Sequence, residues 1–275
     1  MTEIGTGNQD FLIEIPGRDE GVRIAWAAAT DTGRRRAANE DSYVAQSPLF
    51  AVADGMGGHS AGDLASAAVV KRLAEMITAD FLAPRTIERA LEAATADITE
   101  IAVDSVLGVG TTVTGAALTL QDNQPYFAVF NIGDSRVYCF DRNELFQVTV
   151  DHSVVQEMVD AGALTADEAE HHPDSNVITR AVGFNAQPRT DFWMVQLHTG
   201  LRFLICTDGL TKEISDENIR MHFAAGLTPV QTAGALIDAA LAAGGRDNVT
   251  VIVVDVLEAP GTLDIDDTAP RRRAG

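Results

Sequence analysis

Residues 49–59 read LFAVADGMGGH, an apolar run that ends on a carboxylate and continues into glycines. The apolar residues 49–53 are typical of a buried strand, and glycine lets the backbone come close to whatever lies at the strand end. The pattern therefore predicts Asp54 at the rim of a rigid sheet. Four other aspartates stand beside apolar runs elsewhere in the chain: Asp41, Asp134, Asp208 and Asp247.

These five carboxylates indicate a site for divalent metal ions. Hard divalent cations take several oxygen ligands, which carboxylates and backbone carbonyls supply. The His and Cys residues of the sequence show no zinc-like spacing, and this favours Mn²⁺ or Mg²⁺. For any single Asp-Gly pair an ordinary turn is the simpler interpretation. Five aspartates beside separate strands favour a shared metal site.

The order of predicted helices and strands indicates an α+β fold. Helical spacing covers residues 61–78, 84–106, 151–161, 216–224 and 229–243. Strand patterns over residues 111–120, 125–132, 136–140 and 145–148 predict an antiparallel meander, and residues 191–206 predict a hairpin. The final strand is predicted over residues 249–257. Because the helices come in pairs between runs of strands, we expect packed sheets with the helices outside.

The composition indicates one large domain. The 275 residues are 46% hydrophobic, enough for a sizeable core. We expect a flexible leader over residues 1–21, the folded domain over residues 22–257, and a disordered tail over residues 258–275. Cys139 and Cys206 lie in apolar strand-like runs. Buried reduced thiols are preferred there over a disulfide, because no signal peptide is visible in the sequence.

The charge of the chain limits its partners. The net charge is −20, from 40 acidic and 20 basic residues. Such a chain repels the phosphates of a nucleic acid, so we expect no nucleic-acid partner. No stretch approaches the ~20 apolar residues of a membrane span, and we expect a cytoplasmic protein.

Arg36 is the candidate ligand for a phosphate ester. A planar guanidinium can hold two phosphate oxygens at once. The run Arg34 to Arg36 is also compatible with a nucleic-acid or targeting patch, but three arginines are few in so acidic a chain. A solvated turn is sufficient to account for Arg34 and Arg35.

Two histidines are weaker candidates. His59 is either a general acid or a polar turn residue, and the sequence offers it no partner, so the turn is preferred. His152 lies in the segment DHS (151–153), which has the residue types of a hydrolase triad. No nucleophile-elbow pattern accompanies it, and a helix cap at Asp151 or Ser153 explains the segment.

Seven short segments together carry a family resemblance: RAANED (36–41), DGMGG (54–58), GTT (110–112), GDSR (133–136), DHS (151–153), CTDG (206–209) and DNVT (247–250). In this set and order, residues 22–257 resemble the bacterial PP2C-type (PPM family) protein serine/threonine phosphatases. The resemblance implies a four-layer αββα sandwich, with two central antiparallel sheets flanked by helix pairs. It also implies Mn²⁺- or Mg²⁺-dependent hydrolysis of phosphoserine and phosphothreonine in proteins.

The resemblance assigns roles to the matching residues. Asp54 would bridge two metal ions, and Asp208 and Asp247 would complete the shell of the first ion. Arg36 would bind the substrate phosphate. Residues 161–179 would correspond to the family's flap beside the cleft, a candidate substrate selector.

The second ion and a third site follow from the same resemblance. The Gly55 carbonyl would bind the second ion, with Glu40 and Asp41 holding its waters. Asp134 would belong to a third, weaker metal site. A hydroxide between the two core ions would then attack phosphorus in line, while the metals and Arg36 offset negative charge.

Met56 departs from the eukaryotic members, which carry at this position the His that is their proposed proton donor. A metal-bound water is preferred here as the donor, with His59 as the alternative.

The expected partners are phosphorylated proteins, including a bacterial Ser/Thr kinase and its substrates, and the expected state is a monomer. Three alternatives stay open: a catalytically silent binder of phosphorylated proteins, an enzyme on small phosphomonoesters, and an acidic Ca²⁺-binding structural protein.

Overall fold

The structure, a computed structural model, describes residues 1–57, 61–102, 108–184 and 188–260. Across these ranges the strands are β1 (Glu3–Ile4), β2 (Asn8–Glu14), β3 (Gly21–Asp31), β4 (Asp41–Gln46), β5 (Leu49–Met56), β6 (Gly110–Thr111), β7 (Val113–Gln121), β8 (Gln124–Ile132), β9 (Arg136–Asp141), β10 (Glu144–Gln147), β11 (Asp191–Gln196), β12 (Arg202–Cys206) and β13 (Val249–Glu258). The helices in the same ranges are α1 (Ala61–Glu75), α2 (Pro84–Ile101), α3 (Val154–Asp160), α4 (Ala166–Glu170), α5 (Asp208–Thr211), α6 (Asp216–Ala224) and α7 (Pro229–Ala243).

The strands form two sheets that pack face to face. Sheet 1 has the order β1-β4-β5-β7-β8-β11, with β6 paired to the end of β5, and sheet 2 has the order β10-β9-β12-β13-β3-β2. Strand pairs are antiparallel except β1 with β4. A chain of edge-to-face rings joins the sheets, with centroid distances of 5.3, 6.2 and 5.0 Å along Trp26, Phe50, Phe127 and Phe203.

Helices cover both outer faces of this pair of sheets. On β5, Phe50 and Val52 point into the core between the sheets, whereas Ala51 packs towards α1 and α2. On β13, Ile252 points into the same central core and Val253 packs towards α6 and α7. Successive residues of a strand face opposite sides, so a strand buried on both faces has a continuous apolar sequence. The predicted α+β class and the four-layer αββα sandwich are confirmed.

The predicted connections between strands are wrong in two places. The predicted meander is two hairpins, because β7 pairs with β8 in sheet 1 and β9 pairs with β10 in sheet 2. The predicted hairpin over residues 191–206 does not form, because β11 pairs with β8 while β12 pairs with β9 and β13. The sequence patterns of these strands do not show which sheet each strand joins. The crossing from β8 to β9 carries Asp134 past the end of the sandwich.

The prediction of a flexible leader is also wrong for most of residues 1–21. Strand β1 pairs with β4, and β2 pairs with β3. The Trp26 indole N–H lies 3.0 Å from the Thr6 and Ala45 carbonyls, and Ile13 and Ile15 are buried. The alternation of Ile13 and Ile15 with polar residues is a strand signal. At the other end β13 continues to Glu258, and residues 261–275 of the predicted tail lie outside the described residues.

Both cysteines are buried free thiols, as predicted. They lie on opposite faces of sheet 2, Cys139 in the central core and Cys206 under the helices. Burial raises the pKa of both thiols, so neither is poised as a nucleophile. None of the helices in the described part of the chain is long and apolar enough to cross a membrane.

Candidate metal centre

Hydrogen bonds between the two sheets gather acidic residues at one end of the sandwich. Asp41 on β4 is paired in register with Asp54 on β5. Two hydroxyls from sheet 2 donate to Asp41 Oδ2, Thr207 at 2.9 Å and Thr250 at 2.7 Å. Since Thr207 directly precedes Asp208, these bonds hold the acidic segments of both sheets against each other.

The gathered carboxylates repel one another. Burial raises the pKa of Asp54 well above its usual range, and the charges of Asp41, Asp208, Asp134 and Asp247 raise it further. Burial raises the pKa of Asp41 to about 7, although its two threonine partners lower it. Burial and the charge of Asp208 raise the pKa of Asp134 to about 7. A site of this kind favours bound positive charge, because a cation relieves both the desolvation and the repulsion.

Arg36 lies at the rim of the acidic cluster. Its guanidinium donates to Asp247 Oδ2 at 2.7 Å, and half of its side chain is exposed. Gly33 allows its loop to pack in this place: φ is +77°, and a Cβ there would lie 2.2 Å from the Asp247 carbonyl oxygen. The predicted phosphate ligand is therefore held beside the carboxylates with its guanidinium accessible.

Asn248 fixes the loop that carries Arg36 by three hydrogen bonds. Its side-chain amide donates to the carbonyls of Thr32 and Ala38 at 2.9 Å each, and its Oδ1 accepts from the Glu40 N–H at 2.8 Å. Burial raises the pKa of Glu40, and the charge of Arg36 opposes that shift. Asn248 thus fixes both ends of the segment from Thr32 to Glu40, which carries Arg36.

Gly55 is required by a close approach of three backbone segments. A Cβ at this position would lie 2.0 Å from the Gly62 carbonyl oxygen and 2.7 Å from the Glu40 carbonyl oxygen. The end of β5, the start of α1 and the loop before β4 therefore meet here. This contact places the Gly55 backbone beside Glu40, as the resemblance implies.

The structure brings the predicted site residues together: Arg36, Glu40, Asp41, Asp54, Gly55, Asp134, Asp208 and Asp247. It also adds residues to which the sequence interpretation gave no role, namely Thr207, Thr250, Asn248 and Lys212. Thr250 carries a usable signal, because it is a lone polar residue in the apolar run VTVIVV. Lys212 carries none, since its spacing from Asp208 is that of an ordinary helix-surface pair.

The donor set fits divalent cations that prefer oxygen. Asp41 Oδ1 and Asp208 Oδ1 are buried and have no hydrogen-bond partner among the described residues. In the same part of the chain, no group of three or more His, Cys, Asp or Glu side chains is already placed to hold a metal ion. One oxygen each of Asp208 and Asp247 instead contacts a cationic side chain, Lys212 and Arg36 respectively. Free carboxylate oxygens in a mutually repelling cluster are what Mn²⁺ or Mg²⁺ would bind.

Of the two candidate histidines, His152 and His59, the structure describes the surroundings of His152. His152 is buried, its Nδ1 accepts from the Gly133 N–H at 3.1 Å, and its Nε2 lies 3.1 Å from Asp191 Oδ2. This bonding fixes the loop that carries Asp134, and the predicted cap is present at Ser153, whose side chain accepts from the Gln156 N–H. His59 lies outside the described residues.

An αββα sandwich with an acidic, oxygen-rich cleft and an arginine at its rim defines the class of protein. Residues 32–243 match the family described as protein phosphatase 2C. The chain belongs to this family.

Relatives of known name agree with this assignment. The chain is 40% identical over 241 residues to the serine/threonine protein phosphatase PstP of Mycobacterium tuberculosis, covering 86% of this chain and 45% of PstP. It is 34% identical over 239 residues to the serine/threonine phosphatase stp of Listeria monocytogenes, covering 82% and 93%. The chain thus spans about half the length of PstP.

A solved structure shares the fold. The crystal structure of the catalytic domain of PstP in complex with two manganese ions superposes with a TM-score of 0.75. The sequences are 37% identical, and the match covers 86% of this chain and 99% of that domain.

Proposed function

We propose that this chain is a metal-dependent protein phosphatase that hydrolyses phosphoserine and phosphothreonine. The observation that carries the proposal is the buried cluster of mutually repelling carboxylates from both sheets, centred on Asp54 and lying beside the exposed Arg36. Phosphate ester hydrolysis needs positive charge around the phosphate oxygens. The carboxylate cluster can bind metal cations, and Arg36 supplies a guanidinium beside it. The names of the relatives support the same activity.

The proposed metal ligands are the residues of that cluster. Asp54 would bridge two Mn²⁺ or Mg²⁺ ions, Asp208 and Asp247 would complete one shell, and the Gly55 carbonyl would serve the other. Glu40 and Asp41 would hold waters of the second shell. Bound there, two such ions would lower the pKa of the water between them and so supply the attacking hydroxide.

Arg36 would orient the substrate phosphate. Its ion pair with Asp247 is half exposed, so exchanging that partner for phosphate oxygens costs little. A bidentate guanidinium also offsets the charge that builds up on the equatorial oxygens. Residues 161–179, which include α4, would contact the protein around the phosphorylated residue and so select substrates.

The proton donor to the leaving alkoxide is proposed to be a water. Met56 is partly buried at the end of β5, and a thioether has no proton to give. If His59 were the donor instead, His59→Ala would lower kcat strongly on an alkyl phosphomonoester and little on an aryl one. We expect similar, small effects on both substrates.

Hydrolysis of p-nitrophenyl phosphate tests the activity. We expect turnover that requires Mn²⁺ or Mg²⁺ and is abolished in Asp54→Ala. Mn²⁺ binding without turnover would favour a silent binder of phosphoproteins, and Ca²⁺ binding without turnover would favour a structural protein. Comparing phosphopeptides with small phosphomonoesters at equal concentration then separates a protein phosphatase from a metabolite phosphatase.

The proposed physiological role is to oppose a bacterial Ser/Thr kinase. Phosphoproteomics of a deletion strain should show higher occupancy at phosphoserine and phosphothreonine sites, and no change at such sites would count against the role. The cytoplasmic location and the monomeric state stay predictions.

A further inference from the structure

Two exposed arginines, Arg34 and Arg246, lie next to the proposed phosphate ligand. Arg34 is two residues before Arg36 on the loop between β3 and β4, and Arg246 directly precedes Asp247, which contacts the Arg36 guanidinium. The Arg34 N–H donates to the Gly245 carbonyl at 2.6 Å, so the two arginine side chains start from backbone segments that are bonded to each other. Together they form a basic patch beside Arg36, the Arg34–Arg246 patch.

The guanidinium of Arg246 is held along one edge. Its Nε donates to Glu213 Oε1 at 2.9 Å, and its Nη2 donates to the Lys212 carbonyl at 2.8 Å. The Glu213 side chain is 2% exposed, whereas that of Arg246 is 67% exposed. The buried carboxylate therefore fixes the guanidinium with its other edge open to solvent. A guanidinium fixed in this way loses little side-chain entropy when it binds an anion.

Arg34 supplies the unbalanced charge of the patch. It forms no ion pair with any residue that the structure describes, whereas Arg36 and Arg246 each contact a carboxylate. Its stem packs on Gly245, where a Cβ would lie 3.2 Å from Arg34 Cγ. The sequence has 40 acidic and 20 basic residues, so an arginine without a carboxylate partner beside the cleft is a local excess of positive charge. That charge is available to an anionic ligand.

The flap, residues 161–179, carries the opposite charge on the other side of the cleft. Sheet 2 has the order β9-β12-β13-β3, so the loop after β3 lies three strands away from the segment that leads into β9. The flap is anchored to that segment, because the Thr179 N–H donates to the His152 carbonyl and the His152 N–H donates to the Gly133 carbonyl, each at 2.8 Å. Residues 161–179 include four Asp or Glu and no Lys or Arg. A negatively charged part of a substrate is therefore repelled by the flap and attracted to the patch.

We propose that the Arg34–Arg246 patch is a subsite for an anionic residue of the substrate, within about three positions of the phosphorylated residue. An extended segment advances about 3.3 Å per residue, and the two arginines are only one or two residues from Asp247 and Arg36. A guanidinium binds carboxylate and phosphate oxygens in the same bidentate geometry, so either a Glu or a second phosphate fits. The inference rests on the proposed phosphatase function, names a substrate class for it, and revises the interpretation of Arg34 as part of a solvated turn.

Phosphopeptides that differ in one flanking residue test the proposal. A phosphothreonine peptide of otherwise uncharged sequence carries Glu, a non-hydrolysable phosphonate analogue of phosphoserine, Ala or Lys at each of the three positions before and after the phosphothreonine. At the position that faces the patch, Glu should raise kcat/KM about threefold over Ala, and Lys should lower it. The phosphonate should raise it further, because it carries more charge. These differences should fade in about 0.5 M salt, since exposed charges are screened.

Arg34→Gln should bring the ratio of kcat/KM for the Glu and Ala peptides close to one, and Arg34→Glu should favour the Lys peptide. Arg85→Gln is the matched control, because Arg85 is also exposed and forms no ion pair with a described residue. It lies at the start of α2, where the Leu82 N–H donates to the Leu118 carbonyl at the end of β7 remote from Asp54. The ratio should therefore stay the same in Arg85→Gln.

The outcomes separate this inference from the proposed activity. Equal kcat/KM for the Glu, phosphonate and Ala peptides, or the same preference in Arg34→Gln as in the unaltered chain, would overturn the subsite while hydrolysis of the peptides upholds the phosphatase. A preference for Lys peptides in the unaltered chain would show that the acidic flap decides selection, and would also overturn it. A gain with the phosphonate alone would support the subsite and identify a second phosphate as its ligand. If no peptide is hydrolysed, the inference and the proposed function both fail.

Discussion

The sandwich buries charge at both ends of strands β12 and β13, in opposite ways. At one end Arg202 donates to the two carboxylate oxygens of Asp255 at 2.6 and 2.8 Å, and also reaches Thr232 and the Leu227 carbonyl. Its guanidinium lies 5.4 Å from the centre of the Phe223 ring. At the other end the buried groups are carboxylates that face carboxylates.

The two ends of the sandwich therefore have different roles, one in the fold and the other in ligand binding. A buried charge that is fully paired leaves nothing for a ligand, and the fold loses stability when one partner is removed. A buried cluster of one sign costs folding free energy, which the apolar layers around it must offset, and it regains that free energy when cations bind. The acidic end is therefore where a ligand is expected, and the paired end is expected to be inert.

Breaking the ion pair between Arg202 and Asp255 should have the largest effect on stability. Arg202→Met leaves Asp255, whose side chain is only 17% exposed, without its ionic partner and should lower the free energy of unfolding by about 3 kcal/mol. Denaturant titration of the metal-free protein measures this loss, and kcat per folded molecule should not change. Arg23→Met is the control, because the ion pairs of Arg23 with Asp10 and Glu258 are exposed and their loss should have little effect on stability. Equal losses of unfolding free energy in Arg202→Met and Arg23→Met would show that the Arg202–Asp255 pair is no more important to the fold than an exposed pair.

At the acidic end, altering Arg36 should affect catalysis and not the fold. Arg36→Lys keeps the charge but loses the planar fork, and we expect kcat/KM on a phosphopeptide to fall by about 100-fold, or about 2.7 kcal/mol. Mn²⁺ stoichiometry and the melting temperature should stay the same. Arg35→Lys in the neighbouring turn is the control. A loss of metal binding in Arg36→Lys would show that the arginine shapes the cluster and does not bind phosphate.

The two ends should also differ in their response to pH. The usual Asp pKa is 3.8, and the pKa of Asp41 and of Asp134 in the folded chain is about 7. Between about pH 4 and pH 7 the folded state therefore holds more protons than the unfolded state. The stability that Asp41 and Asp134 contribute to the metal-free protein is fully present below this window and should fall as the pH rises through it, by up to about 1.4 kcal/mol per pH unit for each group.

Denaturant titrations across this range check the sign. Saturating Mn²⁺ should abolish the fall, because the metal stabilises the charged carboxylates. Stability that is flat or rises between pH 4 and pH 7 without metal would contradict the proposed repulsion.

The smallest expected effect is at the hydroxyls that join the two sheets. Thr250→Val removes one donor to Asp41 Oδ2 and keeps the side-chain shape, so it should lower stability by about 1–2 kcal/mol and weaken Mn²⁺ binding. Thr250→Ser keeps the donor and should retain most of the affinity. Equal Mn²⁺ affinity in the two variants would show that the hydroxyl does not organise the site.

The sequence predicted those site residues that can be recognised from their residue type and their position next to a strand end. Asp54, Asp208 and Asp247 follow or precede apolar runs, and such positions meet at the edge of a sheet wherever the strands lie. Arg36 was found because phosphate binding calls for a guanidinium. The layered fold followed from the pairing of helices between strand runs, together with the ordered motifs.

What the sequence did not predict depends on contacts between distant segments. Strands β11 and β12 are adjacent in the chain but belong to different sheets, and an apolar run on both faces does not specify which. Strand β2 lies in the predicted flexible leader, yet it pairs with β3, and the indole of Trp26 on β3 donates to the Thr6 carbonyl just before β2.

Crystals grown with Mn²⁺ and measured at the manganese absorption edge test the central claim most directly. Anomalous density should show two ions bridged by the Asp54 carboxylate, one of them also bound by Asp208 and Asp247. Density elsewhere on the surface, or no ion within bonding distance of Asp54, would contradict the claim that the converging aspartates of the two sheets form a metal centre.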